Sequence, residues 1–135
     1  MSEAGLPSSA SVPATPKVYT QKMSCIFCEV VAGRVPAQKA YEDDTCLAFH
    51  DLHPQAPVHI LVVPKRHITS LLDVGATEDA LLGSLVRVAR DLARQHKLAE
   101  RGFRLVFNTG ADAGYSVFHI HLHLLGGRLL GWPPG

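Results

Sequence analysis

Histidines at positions 119, 121 and 123 alternate with the apolar residues Ile120, Leu122 and Leu124 in the stretch FHIHLHLLGG. In an extended strand successive side chains point to opposite faces, so the three imidazoles would line one face about 6.6 to 6.8 Å apart. Gly126 and Gly127 then stop the strand. Two protonated neighbours at that spacing would repel by about 2.4 kcal/mol at an effective dielectric near 20, roughly two pKa units. At least one imidazole therefore stays neutral near pH 7, a nucleophile beside a proton donor. Such a comb serves metal binding or nucleophilic and acid–base catalysis.

The rest of the chain must hold this comb in place. Residues 39–42 (KAYE) and 46–50 (CLAFH) flank Asp43-Asp44 as a hairpin, and residues 59–64 (HILVVP) form a buried strand closed by Pro64. The stretch 25–33 reads as a short helix or turn ending at Gly33. Thr77 is the expected N-cap of a long helix, with Glu78 and Asp79 in its first turn and Leu81, Leu85, Val88 and Leu92 at helical spacing to about Leu98. Residues 104–108 (RLVFN) read as a strand, 109–116 (TGADAGYS) as a glycine-rich loop, and the comb as the last strand. Hairpin-connected strands around one long helix predict an α+β domain with a mainly antiparallel sheet.

At 135 residues the chain suits one domain, read here as residues 23–135, preceded by a flexible Ser-, Ala- and Pro-rich extension over 1–22. A formal net charge of +1 gives no electrostatic reason to expect nucleic acid or an anionic membrane as partner. No apolar run approaches the roughly 20 residues that span a bilayer. Three cysteines, Cys25, Cys28 and Cys46, are too few for a disulfide framework and suggest a reducing compartment, the cytoplasm.

The comb, together with CLAFHDLHPQAPVHILVVPKRHI (46–68) and the terminal GWPPG, resembles the histidine-triad family and within it the Hint branch, the purine nucleoside phosphoramidases. The resemblance covers about residues 24–135. It implies a homodimer whose two sheets join, a purine nucleotide site with no catalytic metal, and hydrolysis of the P–N bond of nucleoside 5′-phosphoramidates through a nucleotidyl-histidine. An interaction module with vestigial catalysis, and a dinucleoside polyphosphate hydrolase or nucleotidyltransferase of another histidine-triad branch, stand as alternatives.

By position, the resemblance implies that His121 is the nucleophile. His123 lies near the phosphate and leaving group, where a protonated imidazole donates a proton, and His119 and His59 support it. Asn108 and Ser116 flank the phosphate, and the Gly110–Gly114 loop offers it backbone N–H groups, with Val117 alongside. Asp51 binds the ribose hydroxyls, and Ile26, Phe27, Phe49, His50 and Leu52 surround the base. The chain departs from the pattern at Tyr115, where glutamine is common, and at His53, where a small polar residue is common.

Cys25-x-x-Cys28 has zinc-ligand spacing. Some bacterial histidine-triad proteins resemble this chain in such a pair, which implies a structural zinc on Cys25, Cys28, His59 and His119, unneeded for turnover. Two half-buried thiols on a short helix are the alternative.

Overall fold

In the computed structural model, residues 25–135 are described. The extension expected over 1–22 lies outside the described residues. The elements run α1 (Ile26–Val31), β1 (Lys39–Glu42), β2 (Cys46–His50), β3 (Val58–Pro64), α2 (Asp79–Gln95), β4 (Phe103–Phe107) and β5 (Leu122–Gly126), with single 3-10 turns between some of them. The strands form one sheet in the order β1-β2-β3-β5-β4. Every neighbouring pair is antiparallel. The expected α+β architecture is therefore what forms.

The β1–β2 hairpin closes on Asp43, whose Oδ1 accepts from the backbone N–H groups of Thr45 and Cys46, both at 2.8 Å. A carboxylate that satisfies two turn amides makes the Asp43-Asp44 turn specific. The segment 78–95 departs from expectation at both ends. The Glu78 Oε1 accepts from the Gly75 N–H at 2.7 Å across a 3-10 turn over Ala76–Glu78, so α2 begins at Asp79 and Thr77 is not its N-cap. At the other end Lys97 takes φ 62° and Leu98 donates its N–H to Ala93, which folds Leu98 back onto the core instead of extending the helix.

Alternation along the strands divides the core. Ile60, Val62, Leu122 and Leu124 face α2, meeting Leu85, Val88, Ala89, Leu92 and Ala93. Leu47, Phe49, Leu61 and Val63 face the other way and meet Phe27 and Val30 of α1. The central strand β3 is thus covered on both sides, which is why its sequence reads as a nearly unbroken apolar run.

The comb is only partly a strand. β5 starts at Leu122, so His119 and His121 precede it and only His123 sits in the ladder. Continuing the β3–β5 register would set Ile120 opposite Pro64, which has no N–H to give. The Ile120 N–H bonds instead to the carbonyl of Ile68 at 2.7 Å, so the 65–70 segment takes over from β3 as the comb's neighbour.

Candidate active site

Each imidazole of the comb has one nitrogen whose partner dictates its tautomer. The His121 Nδ1 lies 2.7 Å from the His119 carbonyl oxygen. A carbonyl only accepts, so the hydrogen is on Nδ1 and Nε2 keeps its lone pair. The His119 Nε2 donates to the Pro64 carbonyl at 2.8 Å, which leaves its Nδ1 lone pair 3.4 Å from the Cys25 Sγ and 3.5 Å from the Cys28 Sγ.

A second chain of bonds starts at β3. The Gln55 backbone N–H donates to His59 Nδ1 at 3.0 Å, so the His59 hydrogen is on Nε2. From there it donates to His123 Nδ1 at 2.9 Å, with the Asp51 Oδ2 3.5 Å away. The neutral His123 therefore carries its hydrogen on Nε2.

Burial keeps all four imidazoles neutral. Desolvation lowers His119 and His123 to about 4. It also holds His59 and His121 below the usual histidine range, against the opposing pull of Asp51. His123 is thus a neutral N–H donor in the free protein. Its shift comes from desolvation first, then from His121 and His59.

The walls are aromatic. Phe27 meets the His121 ring edge-on, with centroids 5.0 Å apart, and Tyr115 lies nearly parallel to it at 5.8 Å and 16°. Burial pushes the Tyr115 phenol up to about 12, so its hydroxyl stays protonated, donating to the Thr69 carbonyl. A cleft of about 380 Å³ is lined by Cys25, Ile26, His67, Thr69, Ser116, Val117 and Phe118, on the side of the two thiols.

The other expected residues divide between this site and plain structure. Asp51 caps its own turn, its Oδ1 accepting from the His53 N–H at 2.8 Å, while Oδ2 faces His59. His50 is half-buried with its ring against His96, and Leu52 is exposed. Phe49 is a core residue packed edge-on against Phe27, with centroids 5.5 Å apart. Asn108 is half-buried just beyond β4. In the loop that follows, Gly110 and Gly114 take φ of +88° and +81°, which a side chain rarely adopts. Thr109 beside them has a buried hydroxyl without a hydrogen-bond partner among the described residues.

His59 is not part of the cysteine cluster, because both its nitrogens are committed to Gln55 and His123. The fourth member is His67, whose Nδ1 lies 3.2 Å from the Cys28 Sγ. The ligand atoms of Cys25, Cys28, His67 and His119 all fall within 4.8 Å of one another. Tetrahedral zinc with two thiolates and two imidazoles needs S···N separations of about 3.6 Å, so this donor set fits the ion. Asp51, His59 and His123 also cluster. There the Gln55 N–H holds the His59 hydrogen on the nitrogen a metal would need, so that trio suits proton handling better. The signal for His67 was its place just past the end of β3, beside the start of the comb.

The model of the HIT domain family matches residues 32–130. The chain belongs to the HIT family. The HIT chain is 53% identical over 110 residues to an uncharacterized HIT-like protein of Synechococcus elongatus, covering 82% of this chain and 96% of that one. It is 44% identical over 106 residues to the purine nucleoside phosphoramidase of Escherichia coli K12, covering 78% of this chain and 89% of the enzyme. Among solved structures, a HIT family hydrolase from Legionella pneumophila superposes with a TM-score of 0.82 at 47% identity, covering 83% of this chain and all of that one. A histidine triad protein from Clostridium difficile gives a TM-score of 0.81 at 43% identity, covering 83% of this chain and 97% of that one. These likenesses support a hydrolase of the HIT family.

Proposed function

We propose that the protein hydrolyses the P–N bond of purine nucleoside 5′-phosphoramidates, with His121 as nucleophile. The observation that carries this is the bond between His121 Nδ1 and the His119 carbonyl, which leaves a neutral Nε2 lone pair for phosphorus. The named activity of the Escherichia coli relative supports the substrate class.

In the first step His121 Nε2 bonds to phosphorus as the P–N bond breaks, and the departing nitrogen takes up a proton. An anionic phosphoryl group beside His123 offsets the desolvation that holds this imidazole low, so His123 gains a proton on Nδ1 on binding as its bond from His59 gives way, and its Nε2 hydrogen passes to the amine. Water then attacks phosphorus, giving its proton to His123 Nε2, while the N–P bond breaks and returns its electron pair to His121. His59, Asp51 and the Gln55 N–H hold His123 in its donor tautomer.

Asn108, Ser116 and the N–H groups that open the 110–114 loop meet the phosphate, those of Ala113 and Gly114 being bonded within the loop, and the Thr109 hydroxyl, unpartnered among the described residues, supports a ligand there. Asp51, His50 and Leu52 take the ribose and base side, with Ile26, Phe27 and Val117 at the opposite wall. No metal takes part in turnover; Cys25, Cys28, His67 and His119 hold a structural zinc. β4 is an edge strand with half-exposed Leu105, Val106 and Phe107, which suits pairing with a second copy in a homodimer. The described helices include none long and apolar enough to cross a membrane, compatible with work in the cytoplasm.

A direct test compares adenosine 5′-phosphoramidate, diadenosine polyphosphates and nucleotide sugars as substrates. The highest kcat/KM belongs to the phosphoramidate. Preference for a polyphosphate would overturn the assignment.

A further inference from the structure

Tyr115 departs from the glutamine that the family resemblance leads one to expect, and the structure gives its ring a specific place. It lies against the His121 imidazole at an interplanar angle of 16°, with centroids 5.8 Å apart. Tyr115 is tied at both ends, its hydroxyl donating to the Thr69 carbonyl and its backbone N–H to the Gly110 carbonyl at 3.2 Å. Phe118 packs against its ring with centroids 5.5 Å apart. The residue is 9% exposed, so the ring cannot swing away from the histidine without breaking these contacts.

Charge is what makes this neighbour matter. When His121 Nε2 bonds to phosphorus, Nδ1 keeps its hydrogen in the bond to the His119 carbonyl. The imidazole has then given up an electron pair without losing a proton, so the ring becomes cationic. An aromatic face within about 6 Å attracts such a cation, and more strongly where water is excluded. A glutamine offers no such face.

We infer that Tyr115 is a positioning residue that stabilises the cationic nucleotidyl-histidine through its ring face, rather than through its hydroxyl. This rests on the nucleophile assigned above. The ring face acts only once the N–P bond begins to form. Its loss therefore slows nucleotidylation while leaving ground-state binding of the nucleotide alone.

The test is rapid quench with adenosine 5′-phosphoramidate labelled at phosphorus, on wild type, Tyr115→Phe and Tyr115→Leu, with AMP affinity and circular dichroism as controls for folding. Tyr115→Phe keeps the face and forms labelled protein within about threefold of the wild-type rate. Tyr115→Leu binds AMP normally but nucleotidylates roughly 5- to 30-fold more slowly, with the loss in kcat rather than KM. Equal losses in both variants would assign the effect to the Thr69 anchor and overturn the inference. Labelled wild type with an unimpaired Tyr115→Leu would overturn it alone, whereas turnover with no labelled wild type would overturn the nucleophile and this inference together.

Discussion

The carbonyl oxygen of His119 accepts the Nδ1 hydrogen of His121 at 2.7 Å, while the His119 ring turns its own lone pair toward Cys25 and Cys28. One residue thus joins the nucleophile to the thiol cluster, by its backbone on one side and its side chain on the other. The link to the nucleophile does not need the His119 imidazole, so structure and catalysis are separable here.

That separation predicts the behaviour of zinc. Protein prepared with zinc holds about one ion per chain, and both Cys28→Ser and His67→Ala lose it and lower the melting temperature. His59→Ala keeps the ion, and chelation of the wild type leaves turnover largely intact while the protein stays folded. Metal analysis of the variants decides this. Zinc retained by His67→Ala, or lost from His59→Ala, would contradict the cluster.

Stability should fall in mild acid. In the zinc-free chain, His119 and His123 titrate near 4 when folded, against the usual value of about 6.5 when unfolded. Between those values the unfolded chain binds more protons, so stability rises with pH; it is fully present above about 6.5 and is lost as pH falls toward 4. His59 and His121 shift in the same direction. Melting temperatures of the zinc-free protein from pH 8 to 4 should stay flat down to about 6.5 and then decline, and a curve flat to pH 4.5 would contradict the buried neutral histidines.

Much of this was legible in the residues, for identifiable reasons. The hairpin strands 39–42 and 46–50 match β1 and β2, because period-two patterning and an Asp-Asp turn are local signals. The N-terminus of α2 was not legible at Thr77, because the Glu78 carboxylate reaches back to Gly75 and holds a 3-10 turn first. The comb's partial strand depended on Pro64, a residue far away in the sequence. Likewise, His59 and His67 cannot be sorted between two clusters until β3 places one at each of its ends.

His123→Ala should fail according to the leaving group. Phosphoramidates of basic amines need a proton on the departing nitrogen and lose about 10²- to 10⁴-fold in kcat, whereas leaving groups that depart as stable anions lose far less. A series of adenosine phosphoramidates graded by amine pKa measures this. A uniform loss across the series would assign His123 to binding alone.

The central claim is that His121 forms a covalent bond to phosphorus. Rapid quench of wild-type protein with adenosine 5′-phosphoramidate labelled at phosphorus should trap an acid-labile nucleotidylated protein within the first turnover. His121→Ala should bind AMP, because the Asp51 side of the site is untouched, and yield no labelled protein and almost no turnover. Labelled protein persisting in His121→Ala, or wild-type turnover with no covalent species at any time, would contradict the account.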